Sequence, residues 1–121
     1  MIVGARAALE TLFDNAGFTV SAFVPERITP PMAIITPSGD WVQSGETFGS
    51  FRIGFDVTLL TQTASNAKVT DELDQMTDDA IAAVTNAAGF YCGSVGSPSY
   101  LDAQNAQYLS VAMTVYQNTK L

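Results

Sequence analysis

Histidine is absent from all 121 residues. That removes Ser-His-Asp and Cys-His nucleophile activation together with the commonest zinc ligand. A zinc site would have to be built almost entirely of carboxylates, a donor set that suits magnesium or calcium better. There is one cysteine, Cys92, so no intramolecular disulfide forms, and the chain fits a reducing cytosol. Cys92 reads as a small, partly buried apolar residue on a strand rather than a reactive thiol. Basic residues are few: Arg6, Arg27, Arg52, Lys68 and Lys120 stand singly against twelve acids, for a net charge of −7. A tight grip on nucleic acid needs clustered Lys and Arg to displace phosphate counterions, and no such cluster exists. No apolar run approaches the roughly 20 residues that cross a bilayer. Near the start, apolar positions recur at helical spacing around Arg6 instead of forming a continuous run, so the expectation is a soluble protein without a secretory signal. Charged residues make up only 14% of the chain, and a surface so poor in charge often becomes covered.

The length fits a single domain over residues 1–121, large enough to bury about two thirds of its unfolded surface. Ala5, Ala8, Leu9, Leu12, Phe13 and Ala16 fall on one helical face, and Gly17 stands where a left-handed C-terminal cap is expected. Residues 18–23 and 32–36 read as short strands, the second between prolines and near a sheet edge. Over 48–61 the period is two, with Phe51, Ile53, Phe55, Val57 and Leu59 facing one way and Arg52, Gly54, Asp56, Thr58 and Leu60 the other. Helical spacing returns over 65–88 through Val69, Leu73, Met76, Ala80 and Val84, closed by Gly89. Residues 89–100 hold a short strand and then a turn rich in Gly, Ser and Pro. A last strand over 107–117 sets Leu109, Val111, Met113 and Val115 against Tyr108, Ser110, Ala112, Thr114 and Tyr116. The expected fold is therefore α+β, in the order α-β-β-β-α-β-β, with a single mostly antiparallel sheet and two helices packed on one face.

A search for chemistry returns little. Asp71, Glu72, Asp74, Asp78 and Asp79 form an acidic cluster on the second helix, best explained as a solvated face whose first acids meet the positive end of the helix dipole. Gly93-Ser94-Val95-Gly96 lacks the Lys and the following helix of a phosphate-binding loop. Ser38-Gly39-Asp40 and Gly45-Glu46-Thr47 read as turns, with Trp41 at what looks like a polar hairpin tip. There the ring either folds back onto the core or anchors a protein contact. No constellation of activated groups can be assembled, so an enzyme is not expected, and neither cofactor nor metal is implied.

The most individual stretch is Val24 to Phe51. It runs V-P-E-R-I-T-P-P, then I-I-T-P-S-G-D-W-V, then S-G-E-T-F-G-S-F, with Pro25, Pro30, Pro31 and Pro37 holding the backbone extended. Together with the later run Asn105-Ala106-Gln107-Tyr108-Leu109, this pattern resembles the tail terminator proteins of long, flexible-tailed (siphovirus-type) phages of actinobacteria. The similarity runs from the first helix to the last strand, and its motifs carry no chemistry. The resemblance implies a structural virion protein that forms a ring, usually a hexamer, at the head-proximal end of the tail tube. It would be assembled in the host cytoplasm, stop tube polymerisation and meet the head-tail connector. Its partners would be copies of itself, the tail tube protein and the connector, while DNA passes through without specific binding.

Six copies would carry about −42 formal charges, and a lumen of that sign repels passing DNA. The low-charge connection over 38–48 is the expected subunit or partner contact, with Trp41, Val42, Glu46 and Phe48 as candidates. The mixed strand faces bearing Arg52, Asp56, Thr58, Ser110 and Thr114 are candidates to line the lumen or meet a neighbouring sheet. The rival expectations are a head-tail connector or stopper, a tail tube subunit, or a small ligand-binding α+β domain. Residues 94–107 are composed like a loop that orders only on docking.

Overall fold

The computed structural model describes residues 2–21, 32–45, 49–61, 67–103 and 106–120. Among the described residues two helices, α1 (Ile2–Asn15) and α2 (Ala67–Thr85), accompany six strands. The strands are β1 (Thr19–Ser21), β2 (Met32–Ser44), β3 (Ser50–Leu60), β4 (Phe90–Val95), β5 (Ser99–Ala103) and β6 (Ala106–Lys120). The fold is α+β, and the expected order holds with one short strand, β5, added from the stretch that reads as a turn.

All strands join one sheet in the order β1-β2-β3-β6-β4, with β5 also paired to β6. Only β1 and β2 run parallel; every other pairing is antiparallel. The backbone of the fold is the long β3–β6 ladder, in register from Ser50↔Lys120 to Leu60↔Ser110. Beyond it, Thr61 donates both its amide and its hydroxyl to the Leu109 carbonyl, at 3.0 and 3.1 Å.

Both helices pack on the same face of the sheet. Leu9 and Phe13 of α1 and Leu73, Met76, Ala80 and Val84 of α2 share one core with Ile53, Phe55, Val57 and Leu59 of β3 and Val111, Met113 and Val115 of β6. The helical and alternating periods of the sequence are met in space. Ala8 and Ala16, however, stay exposed, and α1 buries the narrower stripe Ala5, Leu9 and Phe13. Gly17 (φ 96°) and Gly89 (φ 85°) take the left-handed conformation after each helix, where a side chain would be strained. Phe13 and Phe18 meet edge to face across the first of these turns, with ring centroids 5.6 Å apart.

The largest departure from the expectation lies in β2. It does not stop at Thr36 but runs on to Ser44, with a register shift between Pro37 and Val42. Ser38-Gly39-Asp40 is therefore no turn, and Trp41 does not sit at a hairpin tip; both belong to a bulge inside the strand. A bulge accommodates what a regular ladder cannot, here a proline without an N–H and a glycine. The actual reversal into β3 falls later, where the Gly45 amide donates to the Ser50 carbonyl at 2.9 Å and Gly49 adopts φ 81°.

Candidate interface on the helix-free sheet face

The even-numbered residues of β3, and those of β6 from 108 to 118, point away from the helices. Cross-strand pairing lines up Thr36, Asp56 and Thr114 in one row, Ile34, Thr58 and Ala112 in the next, and Gln43, Arg52 and Asn118 in another. Arg52, Asp56, Thr58, Ser110 and Thr114, the expected sheet-face residues, thus lie on one face of two adjacent strands. The first three and Thr114 are half-buried, while Ser110 is buried and donates its hydroxyl to the Ser99 carbonyl at 3.2 Å. Ser110 is thereby committed to holding β5 and has no part in an open surface.

Arg52 organises one end of this face. Its guanidinium lies 4.4 Å from the Tyr116 ring centroid, donates to the Gln43 side-chain carbonyl and reaches the Tyr91 hydroxyl at 3.4 Å. Tyr91 stacks in turn beside Tyr116, centroids 5.3 Å apart and planes inclined by 30°. Tyr116 rests on the Gly93 backbone so closely that a Cβ at Gly93 would strike the ring. One arginine therefore links β2, β3, β6 and β4 through a cation–π contact and two hydrogen bonds. In the neighbouring row the Thr114 hydroxyl donates to the Asp56 carboxylate and the Thr36 hydroxyl to the Asp56 carbonyl, each at 3.5 Å. At the far end Met32, Ile34, Leu60 and Tyr108 form a second, smaller apolar cluster with Leu101 against it. Neither helix contributes to it.

Of the expected contact residues, Trp41 and Val42 are exposed on β2, whereas Glu46 and Phe48 lie outside the described residues. Trp41 is 38% exposed, with the Arg6 guanidinium of α1 standing 6.0 Å from its ring centroid. The ring is thus partly held by its own domain and partly free for another. Val42 pairs with Ile53 and so belongs to the helix-bearing face, away from the Arg52 cluster.

The acidic cluster does not gain from the helix dipole as expected. The second helix begins at Ala67 and carries no acid in its first turn, which places Asp71 beyond the reach of the positive end. Asp71, Asp74, Asp78 and Asp79 are exposed, and Asp79 accepts from Gln75 at 2.9 Å. Among the described residues no group of three or more His, Cys, Asp or Glu side chains could hold a metal ion, and every buried side-chain nitrogen or oxygen has a hydrogen-bond partner. No described helix is long and apolar enough to cross a membrane. Burial pushes the half-buried Cys92 thiol above its ordinary range, which disfavours the thiolate a nucleophile needs.

Sequence reasoning missed Tyr116, Tyr91 and Gln43. The alternation of the last strand already put Tyr116 beside Thr114. Gln43 and Tyr91 left no such signal, since one lies beyond the register shift and the other on a strand that reaches β6 out of sequence order.

Hydroxyls, an amide, phenols, the Asp56 carboxylate and one guanidinium make a face able to hydrogen-bond and stack. The class defined by these features is a two-layer α+β domain with one sheet face covered by helices and the other built of fixed polar and aromatic groups. The chain matches no protein-family model, and no curated protein is detectably similar to it.

Proposed function

We propose that this protein is a tail terminator of a siphovirus-type phage, a ring-forming structural subunit, six to the ring, that caps the head-proximal end of the tail tube and joins it to the head-tail connector. The proposal starts from the resemblance carried by residues 24–51 and 105–109. The observation that supports it best is the helix-free face, where Arg52, Asp56 and Thr114 are held by contacts across the strands and Thr58 lies half-buried in the row beside Asp56 and Thr114. Such a face is suited to lining a conduit or meeting a neighbouring sheet. A net charge of −7 per subunit favours a conduit that does not retain DNA.

The test is to polymerise the cognate tail tube protein with and without this chain and to measure tube lengths by electron microscopy. A terminator yields short tubes of narrow length distribution, each with added density at one end. Tubes that lengthen by incorporating the chain would make it a tube subunit. Tubes unchanged in length, with the chain bound instead to portal-side proteins, would make it a connector. A chain indifferent to both, yet raised in melting temperature by calcium, magnesium or a small ligand, would return it to the ligand-binding class.

A further inference from the structure

Strand β4 ends the sheet order, so among the described residues no strand covers its outer edge. Its sequence, F-Y-C-G-S-V, contains neither a charge nor a proline, the devices by which natural sheets keep an open edge from pairing. At the opposite end, β1 covers only Met32 to Ile34 of β2, and among the described strands only β3 pairs with residues 35–37 and 42–44. Exposed large apolar side chains gather at these two edges. Trp41 and Val42 stand on one and Tyr91 and Val95 on the other, while of the remaining exposed large apolar residues among those described Tyr100 lies on β5 and Val3 on α1.

The two edges fit each other in level, direction and face. Strand β4 pairs with β6 from Met113 to Gln117, those residues pair with Val57 to Ile53 of β3, and these pair in turn with Ile35 to Val42 of β2. The open part of β2 therefore lies at the same height in the sheet as β4. Three antiparallel steps separate β2 from β4, so the two run in opposite directions. A copy rotated about an axis along the strands would bring its β2 antiparallel to this β4, the pairing most sheets use. Val42 lies opposite Ile53, Phe90 opposite Gln117 and Val95 opposite Met113, which sets all three on the helix-bearing face. Copies joined in this way keep their helices on one side, and Val42 enters the row of Phe90.

We infer that the β4 edge of one copy adds to the open β2 edge, residues 35–44, of a second copy, continuing the sheet head to tail. The inference deepens the ring reading above by naming the two surfaces through which copies join. Pro37 has no N–H to offer, so the backbone bonds fall on either side of the bulge, at residues 35–36 and 42–44. A two-fold pairing of β4 with β4 would use one edge twice and leave Trp41 and Val42 uncovered. The head-to-tail arrangement covers both.

The test uses Val42→Lys and Val95→Lys, each at a position 37% exposed, with solution mass measured by light scattering. The wild-type chain is expected to form a closed oligomer, and each variant alone to fall to the 12.8 kDa of one chain. Mixed one to one, the variants share a single intact pair of edges and should form a dimer that grows no further. That recovery also shows both variants to be folded. Where a valine substitution unfolds the chain, Ser44→Lys and Ser94→Lys place the same charge at exposed edge positions. Three results overturn the inference: a wild-type chain monomeric at its highest soluble concentration, variants that keep the wild-type mass, or a loss confined to Val95→Lys. Tube capping is scored separately. An edge-joined ring that fails to halt tube growth leaves the contact standing and removes the tail assignment, and a capping ring indifferent to both lysines does the reverse.

Discussion

Phe55 is fully buried at the middle of β3, between core residues of both helices and of β6. Phe55→Ala removes its ring from a site walled by regular structure, and should lower the unfolding free energy by about 3–5 kcal/mol in urea titration. Trp41 is the opposite case. A ring 38% exposed and 6.0 Å from one guanidinium owes its own domain little, so Trp41→Ala should cost under about 1 kcal/mol of fold stability. If the ring anchors a neighbour, the same substitution weakens assembly by about 2 kcal/mol, read as a rise in the concentration at which the oligomer dissociates. A loss of melting temperature with assembly unchanged would assign Trp41 to the core alone. Cys92 ties stability to alkaline pH. Burial raises its folded-state pKa above the unfolded value, so its contribution is intact below about pH 8.5 and is lost as pH rises through the folded value. Cys92→Ala should flatten that decline, and alkylation of the native thiol should be slower than in urea.

At the scale of elements, turn glycines and stacked rings decide whether neighbours stay joined. Helix α2 stops at Thr85, four residues short of the glycine expected to close it; Gly89 holds φ 85° at the entry to β4 instead, and its carbonyl accepts from the Asn118 amide at 3.1 Å, which ties that turn to β6. Gly89→Ala should destabilise by about 1 kcal/mol through backbone strain alone, since an added Cβ meets open space. Gly93→Ala acts differently. Its Cβ would displace the Tyr116 ring from beneath Arg52, which should change the near-ultraviolet circular dichroism and hasten amide exchange along β4. The elements legible in the sequence were those with many buried positions at one period: Leu9 and Phe13 of α1, the Val69 to Val84 stripe of α2, and the alternations of β3 and β6. Strand β5 was illegible because Ser99–Ala103 has no apolar alternation of its own and owes its conformation to pairing with β6. The second half of β2 was illegible because proline and glycine mark turns far more often than bulges. For the same reason the expected sheet-face residues converged in space, while their partners Gln43 and Tyr91 emerged only from register.

At the scale of the molecule, twelve acids stand against five bases, and Arg52 on the helix-free face is already engaged by Tyr116 and Gln43, which leaves little to hold a phosphate backbone. The protein should not retard double-stranded DNA in a gel at physiological salt, whatever its oligomeric state. The topology sets a second whole-molecule property. Strand β3 closes its outer side by a local hairpin with β2, but its other side is met only by β6, more than forty residues later in sequence. A chain ending at residue 105 would keep both helices yet lack the strand that joins β3 to β4. Its circular dichroism should be that of an unfolded protein, because Ile53, Phe55, Val57 and Leu59 of the core would lose their partner strand. The strand that seals the centre of the sheet is the last of the described elements to leave the ribosome. Until it emerges, β3 is an open template for any nascent neighbour translated from the same messenger. Abundant synthesis would therefore run a race between the completion of each chain and its entanglement with the next.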